Sequence, residues 1–150
     1  MNINEHISPA KLEYYSFLWS EARLVIAAVA LFVGGVPPLL YFIRLPGVYG
    51  FSNTLLTLAW LISGVASAYL LYRWYKGDRS VFGGKAPLDT AAFLVSIVSG
   101  INLGLTGVLR NNIGMSISSN QVVLIIVGAL YLAAAYRLYT RWNSFGKKIF

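Results

Sequence analysis

The sequence predicts an all-α membrane protein: a bundle of four transmembrane helices with an interfacial helix at the N-terminus. Three observations predict this fold, namely four long apolar stretches, a composition with 57% apolar and 11% charged residues, and basic residues that alternate between the two sides of the stretches. A helix needs about 20 apolar residues to cross a hydrocarbon core of about 30 Å. The predicted spans cover residues 24–43, 55–71, 91–109 and 122–138.

The N-terminal segment, residues 1–23, combines a helix start with an amphipathic pattern. Ser8-Pro9 favours a helix that begins at the proline. Leu12, Tyr15 and Trp19 then recur at helical spacing, while polar residues that include Ser20 and Arg23 take the other side. This pattern predicts an interfacial helix on the cytoplasmic leaflet that turns into span 1. It fits equally a single long first helix that protrudes into the cytoplasm.

Span 1 contains a helix-breaking motif, Gly34-Gly35-Val36-Pro37-Pro38. Proline supplies no backbone N–H, so Pro37 and Pro38 leave carbonyls of the preceding turn without their usual donors. We expect a kink or break here, because an unsatisfied carbonyl in hydrocarbon costs several kcal/mol. Such breaks form substrate sites in many transporters, and they also occur as packing kinks that neighbouring side chains satisfy.

Span 3 has small residues on one face and an amide in its middle. Small residues four apart allow close helix contacts, and this face carries Ser96, Gly100, Gly104 and Gly107. Asn102 needs a partner on another helix if it cannot reach water. We expect Asn102, with Ser99 or Thr106, to face the break in span 1. The group would then be either a structural hydrogen-bond site or part of a polar permeation path.

Spans 2, 3 and 4 also carry packing and capping signals. Ser63 and Ser67 in span 2 and Gly128 in span 4 predict further close helix contacts. Helix caps are predicted at the start of each of these spans, because Ser, Thr, Asn and Asp oxygens accept from free backbone N–H groups. The predicted caps are Asn53-Thr54, Asp89-Thr90 and Ser118-Ser119-Asn120.

The two halves of the chain resemble each other where spans 2 and 4 end. Residues 72–85 read Tyr-Arg-Trp-Tyr followed by a Ser-Val-Phe-Gly-Gly-Lys segment, and residues 136–148 read Tyr-Arg-Leu-Tyr followed by Ser-Phe-Gly-Lys-Lys. A duplicated two-helix hairpin explains this similarity. The preference of membrane boundaries for aromatic and basic residues explains it as well.

Basic residues predict the orientation. Arg44 and Arg110 lie in the loops on one side, whereas the other ten basic residues, Arg23 among them, fall on the opposite side. The positive-inside rule therefore predicts that both termini are cytoplasmic, in the cell membrane. This topology accounts for the net charge of +7 without nucleic-acid binding.

The basic residues of the cytoplasmic rim alternate with aromatic residues. We expect these residues to contact anionic lipid head groups, although an acidic partner protein is an alternative. The set comprises Arg73, Lys76, Arg79, Lys85, Arg137, Arg141 and, in the basic tail of residues 139–150, Lys147 and Lys148.

Composition argues against catalysis. A chain of 150 residues forms a single membrane domain here and has no room for a separate soluble catalytic domain. It has no cysteine, and one histidine, His6, cannot supply the paired ligation of a b-type haem. All five carboxylates are expected outside the apolar cores, whereas a proton-coupled carrier usually buries one. We therefore expect no catalytic residue, no metal and no cofactor.

The sequence favours a non-enzymatic accessory subunit that packs against other transmembrane helices in a larger membrane complex. The small-residue faces and short loops support this prediction. The alternative is a small homo-oligomeric transporter or channel in which the span 1 break and Asn102 contribute to a polar path.

Overall fold

The structure is a computed structural model that describes residues 8–34 and 48–150. Within these ranges the chain forms five helices and no strand. The helices α1, α2, α3 and α5 are long and apolar enough to cross a membrane, which confirms the predicted four-helix bundle of a multi-pass membrane protein. The helices are α1 Pro9–Phe32, α2 Val48–Lys76, α3 Pro87–Leu109, α4 Ile113–Ile117 and α5 Gln121–Ser144.

The first helix begins earlier than the predicted span. It starts at Pro9, the first helical residue after Ser8, and continues without interruption to Phe32. Of the two expectations for residues 1–23, the structure therefore has the single long helix, and Phe17 and Leu24 are buried in the bundle instead of protruding from it. After α1, Val33 and Gly34 form a turn, and Gly34 has a φ of +92°, which favours glycine. The rest of predicted span 1 lies outside the described residues.

The four long helices pack in the cyclic order α1, α2, α3 and α5. The most extensive contacts join α2 to α3 and α1 to α5, and α1 also contacts α3 across the bundle. Since α1 and α3 meet at the centre, polar side chains on their facing sides lie away from lipid. The short helix α4 packs against α3 near the end of the bundle where α3 finishes.

Small residues allow the helices to approach closely. A Cβ atom on Gly104 would lie 2.6 Å from the Cα atom of Gly64, so α2 and α3 cross with their backbones in contact. Gly107 lies against Leu61, and Gly128 lies against Phe32 of α1. The small-residue faces that predicted docking to other proteins are thus covered by helices of the same chain.

The basic end of the bundle is the end where α2 and α5 finish and α3 begins. At this end the loop between α2 and α3 packs against the C-terminal tail. The backbone N–H of Phe82 donates to the carbonyl of Ile149 at 2.8 Å, and the Phe82 and Phe145 ring centroids are 6.4 Å apart. Phe82 and Phe145 belong to the two similar segments of the chain, which therefore contact each other. The C-terminal residues close the core from this side, with Ile149 buried.

Two of the predicted caps differ from the structure. Helix α2 begins at Val48, before Asn53, and the N-cap of α3 is Ala86 followed by Pro87. Asp89 is instead fully buried (0% exposed) and binds two arginines of α5, because its position in the first turn of α3 faces that helix. The prediction for α5 is confirmed: the side chain of Asn120 accepts from the N–H of Val122 at 2.9 Å.

Candidate functional site

A buried arginine lies within α1. Arg23 is 6% exposed, and its Nη1 donates to Ser99 Oγ at 3.0 Å. Its Nη2 lies 2.9 Å from the carbonyl oxygen of Ser96 and 3.2 Å from Ser96 Oγ. The sequence analysis places Arg23 before span 1 among the cytoplasmic basic residues, and this is wrong because α1 begins at Pro9. Nine basic residues remain at the basic end, so the charge asymmetry that predicts the orientation persists.

The guanidinium lies near the middle of the bundle along its axis. Its partners Ser96 and Ser99 are close to the midpoint of α3, and Ser67 is close to the midpoint of α2. An arginine at mid-depth in a membrane helix costs about 2.5–3.5 kcal/mol on insertion scales. Ionisable residues at this depth are rare, and they commonly mark substrate or ion pathways.

Ser96 and Ser99 accept from the guanidinium, Ser67 lies beside it against Gly100, and Ser20 precedes Arg23 by about one turn on α1. We call Ser20, Arg23, Ser67, Ser96 and Ser99 the Arg23 cluster. Three of its polar atoms are buried and have no hydrogen-bond partner among the described residues: Ser20 Oγ, Ser67 Oγ and Arg23 Nε.

Gly100 contacts the cluster directly, whereas the nearby Ser63 is bonded to other residues. A Cβ atom on Gly100 would lie 1.9 Å from Ser67 Oγ and 3.1 Å from Arg23 Cζ, so the cluster requires a glycine there. Ser63, one turn from Ser67, is already satisfied. It accepts from Trp19 Nε1 at 2.9 Å and donates to the carbonyl of Ala59 at 2.6 Å.

Arg23 has no carboxylate partner among the described residues. The ion pairs of those residues lie at the basic end, where Glu13 binds Arg73, Asp78 binds Lys85, and Asp89 binds Arg137 and Arg141. Glu21 is two residues from Arg23, which places it about 200° around the helix. The charge of Arg23 is therefore not directly neutralised by a carboxylate of the described chain.

Glu21 is a second ionisable residue within α1. It is 8% exposed and lines an open groove of about 480 Å³ between α1 and α5, together with Tyr136 and Tyr139. Its Oε1 atom has no hydrogen-bond partner among the described residues. The expectation that every carboxylate lies outside the apolar cores is thus wrong for Glu21, because the predicted span starts too late.

A cavity of about 230 Å³, which we call the α4 cavity, lies between α1, α3, α4 and α5. Its walls are mostly apolar, and Ser99 connects it to the Arg23 cluster. A second, apolar cavity of about 200 Å³ between α1 and α2 contacts Arg23 directly. Both cavities share walls formed by Ala27, Ala30 and Leu103. The polar residues that line the α4 cavity are Ser99, Asn102, Asn112, Ser118 and Tyr131.

Asn102 holds α4 in place. Its Nδ2 donates to Asn112 Oδ1 at 3.0 Å, and its Oδ1 accepts from the N–H of Gly114 at 3.2 Å. Asn112 in turn caps α4 by accepting from the N–H of Met115. Thr106 donates to the carbonyl of Asn102 within α3. The partners of Asn102 are thus on α4, while Gly35, Pro37 and Pro38 of the break lie outside the described residues.

Several basic residues of the rim are engaged within the chain. Asp89 receives hydrogen bonds from Arg137 Nε at 2.7 Å and Arg141 Nε at 2.9 Å. Lys85 donates to the exposed Asp78 and thereby lowers the pKa of that carboxyl. The Arg79 guanidinium lies over the Tyr75 ring. Three others, Lys76, Lys147 and Lys148, are exposed.

The Arg23 cluster was not predicted, although the sequence contains a signal for each end of α1. Ser8-Pro9 indicates the start of the helix, and Gly34 lies in the motif that ends it. A helix drawn between these two signals is 24 residues long and contains Arg23 near its middle. The prediction began span 1 at Leu24 because charged residues usually mark the ends of membrane helices.

Among the described residues, no group of three His, Cys, Asp or Glu side chains is placed to bind a metal ion. Comparisons of the chain with protein-family models, with curated proteins and with solved structures find no match.

Proposed function

We propose that this membrane protein is a small, non-enzymatic transporter or channel, in which the α4 cavity and the Arg23 cluster form the solute path. One observation carries the proposal: a guanidinium without a carboxylate partner, near mid-depth, is connected through Ser99 to a cavity. A bundle that needed only to pack would gain stability from an apolar residue at this position, because burying an unneutralised charge is costly.

The accessory-subunit prediction loses part of its support. It rested on small-residue faces free to dock, on short loops and on the absence of catalytic chemistry, and the transport alternative was weakened by the expectation that every carboxylate lies outside the apolar cores. Gly64, Gly104 and Gly128 pack within the chain, and α1 contains both Glu21 and Arg23. These two facts favour the transport alternative.

One observation still favours an accessory role as the second candidate. The Oε1 atom of Glu21 is buried without a partner beside the open groove between α1 and α5. A transmembrane helix with a basic residue would neutralise this carboxylate if the helix lay in the groove.

The orientation that accompanies the proposal follows from the basic end. The exposed Lys76, Lys147 and Lys148 lie at this end, where anionic lipids of a cytoplasmic leaflet would attract them. We accordingly propose that both termini are cytoplasmic, in the cell membrane. The α4 cavity would then lie toward the outer side.

The test begins with the native particle. Mild-detergent extraction followed by mass measurement separates a homo-oligomer from a complex with unrelated, stoichiometric subunits. The purified protein is then reconstituted into liposomes, which are shrunk by an osmotic step in a series of salts, amino acids and sugars. We expect faster reswelling than in protein-free liposomes for at least one solute. Protein-free rates for every solute, together with co-purified subunits, would favour the accessory role.

A further inference from the structure

We propose that the inner end of the α4 cavity, which is the end next to Ser99 and Arg23, binds a small monovalent anion. The anion is held by the Ser99 hydroxyl, the Tyr131 phenol and the charge of Arg23. This inference rests on the proposed transport function and names its substrate class. Three features of the cavity support it: the hydrogen-bond donors on its wall, the sign and size of the charge behind that wall, and its volume.

The inner wall of the cavity offers hydrogen-bond donors. Ser99 Oγ already accepts from Arg23 Nη1, so its own proton is left for a group on the cavity side. Asn102 Nδ2 uses one N–H on Asn112 and has a second. Tyr131 lines the same cavity, and its phenol O–H is a further donor. A wall of donors favours a ligand that accepts hydrogen bonds.

The positive charge of Arg23 further restricts the sign and size of the charge on the ligand. Arg23 lies directly behind Ser99, and no Lys, Arg, Asp or Glu is among the described residues that line the cavity, so the wall at Ser99 repels cations. A single positive charge neutralises a monovalent anion, whereas a phosphate dianion would keep net charge in an apolar bundle. The volume of about 230 Å³ accommodates an ion of the size of chloride, bromide or nitrate together with water.

The Arg23 cluster around this wall has the same excess of donors. Arg23 Nε and the hydroxyls of Ser20 and Ser67 have no partner among the described residues. The acceptors that Arg23 binds among the described residues are Ser96 Oγ, Ser99 Oγ and the carbonyl of Ser96. An anion at Ser99 would offset the charge that this cluster holds near mid-depth.

Binding is tested on the purified full-length chain in detergent. Thermal unfolding is followed while sodium gluconate is replaced by sodium chloride, bromide or nitrate at constant ionic strength. Because a ligand that binds only the folded state stabilises it by mass action, we expect a saturable rise in Tm with each small anion. Choline chloride should act as sodium chloride does. If no small anion raises Tm above the value in gluconate, the proposal is overturned.

Two serines provide a matched pair of variants. Ser96 and Ser99 are about one turn apart on α3 and both accept from the Arg23 guanidinium, but only Ser99 lines the cavity. We expect Ser99→Ala to raise the Kd of the anion about tenfold, as for the loss of one charge-assisted hydrogen bond. Ser96→Ala should change the Kd by less than about twofold, because Nη2 keeps its bond to the Ser96 carbonyl. Equal effects of the two variants would contradict a cavity-side hydroxyl ligand.

Tyr131→Phe provides an independent variant that leaves the Arg23–Ser99 hydrogen bond in place. We expect it to weaken anion binding several-fold, and wild-type affinity would contradict the role of the phenol. The outcome is separable from that of the transport assay. Reswelling in sugars without any anion-dependent rise in Tm would refute the anion site and leave transport standing. A saturable rise in Tm without flux of any solute would refute transport and leave the binding site standing.

Discussion

Arg23 and Asp89 represent two ways in which this bundle buries charge. The Asp89 carboxylate is fully buried and accepts from two arginines that are themselves partly exposed. Arg23 is buried against neutral hydroxyls and one carbonyl. The first arrangement neutralises its charge within the chain and joins α3 to α5. In the second arrangement no described carboxylate lies within ion-pair distance of the guanidinium.

The structural role of Asp89 gives the first prediction. Asp89→Asn removes the charge that two guanidinium groups require and leaves them without their partner. We expect the variant to lose about 2 kcal/mol of stability, at the low end for charged hydrogen bonds because both arginines are partly exposed. Thermal unfolding in detergent measures this loss.

Asp78→Asn is the matched control, since Asp78 is also paired but exposed. The hydrogen bond from Lys85 lowers the pKa of Asp78, so its contribution exists above the ordinary pKa of the carboxyl and is lost as the pH falls through the lowered value. Because solvent screens this pair, the Tm of the variant should match that of the wild type near neutral pH. An equal loss in both variants would contradict the assigned difference in burial.

Arg23→Met gives the second prediction. If the guanidinium serves a ligand and not the fold, its replacement by an apolar side chain of similar length removes the cost of a buried charge. We expect the Tm in gluconate to be at or above the wild-type value, with the anion-dependent rise lost. A decrease in stability of more than about 3 kcal/mol would instead identify Arg23 as a structural cross-link between α1 and α3.

Among the helix contacts, α2 and α3 pack backbone against backbone at Gly64 and Gly104. Gly104→Ala places a methyl group 2.6 Å from the Cα atom of Gly64, and backbone cannot move aside as a flexible side chain can. We expect a loss of about 1–3 kcal/mol, typical of overpacking, measured by thermal unfolding. Gly84→Ala is the control, because no atom lies within 4 Å of the added methyl. Wild-type stability of Gly104→Ala would contradict the close crossing.

The sequence shows the amphipathic pattern of α1, but which side of the helix faces the core depends on the surrounding solvent. Tyr15 and Trp19, on the apolar side, are exposed on the bundle surface, whereas Ser20 and Arg23 are buried. In water an apolar side faces the core, but in a membrane it faces lipid and the polar side packs inside. The pattern alone does not distinguish an interfacial helix from an inverted transmembrane one. The length of α1, which is fixed by Ser8-Pro9 and Gly34, distinguishes the two.

Features that depend on local chemistry were more predictable than those that depend on which helices meet. The number of spans follows from hydropathy, although α1 begins at Pro9 and not at Leu24, and the Asn120 cap follows from its place before α5. The bonds of Asn102 to α4 depend on how a loop of the same chain folds back. Sequence spacing gives no distance for such a contact, and the break that Asn102 is expected to face lies outside the described residues.

At the scale of the whole molecule, charge asymmetry predicts how the bundle crosses the membrane. The chain has no cysteine, so single cysteines can report the side of each end without background. We expect Asn111→Cys to react with a membrane-impermeant maleimide in intact cells. Lys148→Cys should react only after permeabilisation. Both positions are exposed, and the reverse pattern would invert the proposed orientation.

We propose that the α4 cavity conducts anions past Arg23, a claim that chloride efflux from proteoliposomes tests. Vesicles loaded with potassium chloride receive valinomycin, so that potassium leaves freely and anion movement limits the rate. We predict rapid efflux through the wild-type protein, strongly reduced efflux through Ser99→Ala, and near wild-type efflux through Ser96→Ala. Efflux from wild-type vesicles that equals the rate of protein-free vesicles would contradict the claim.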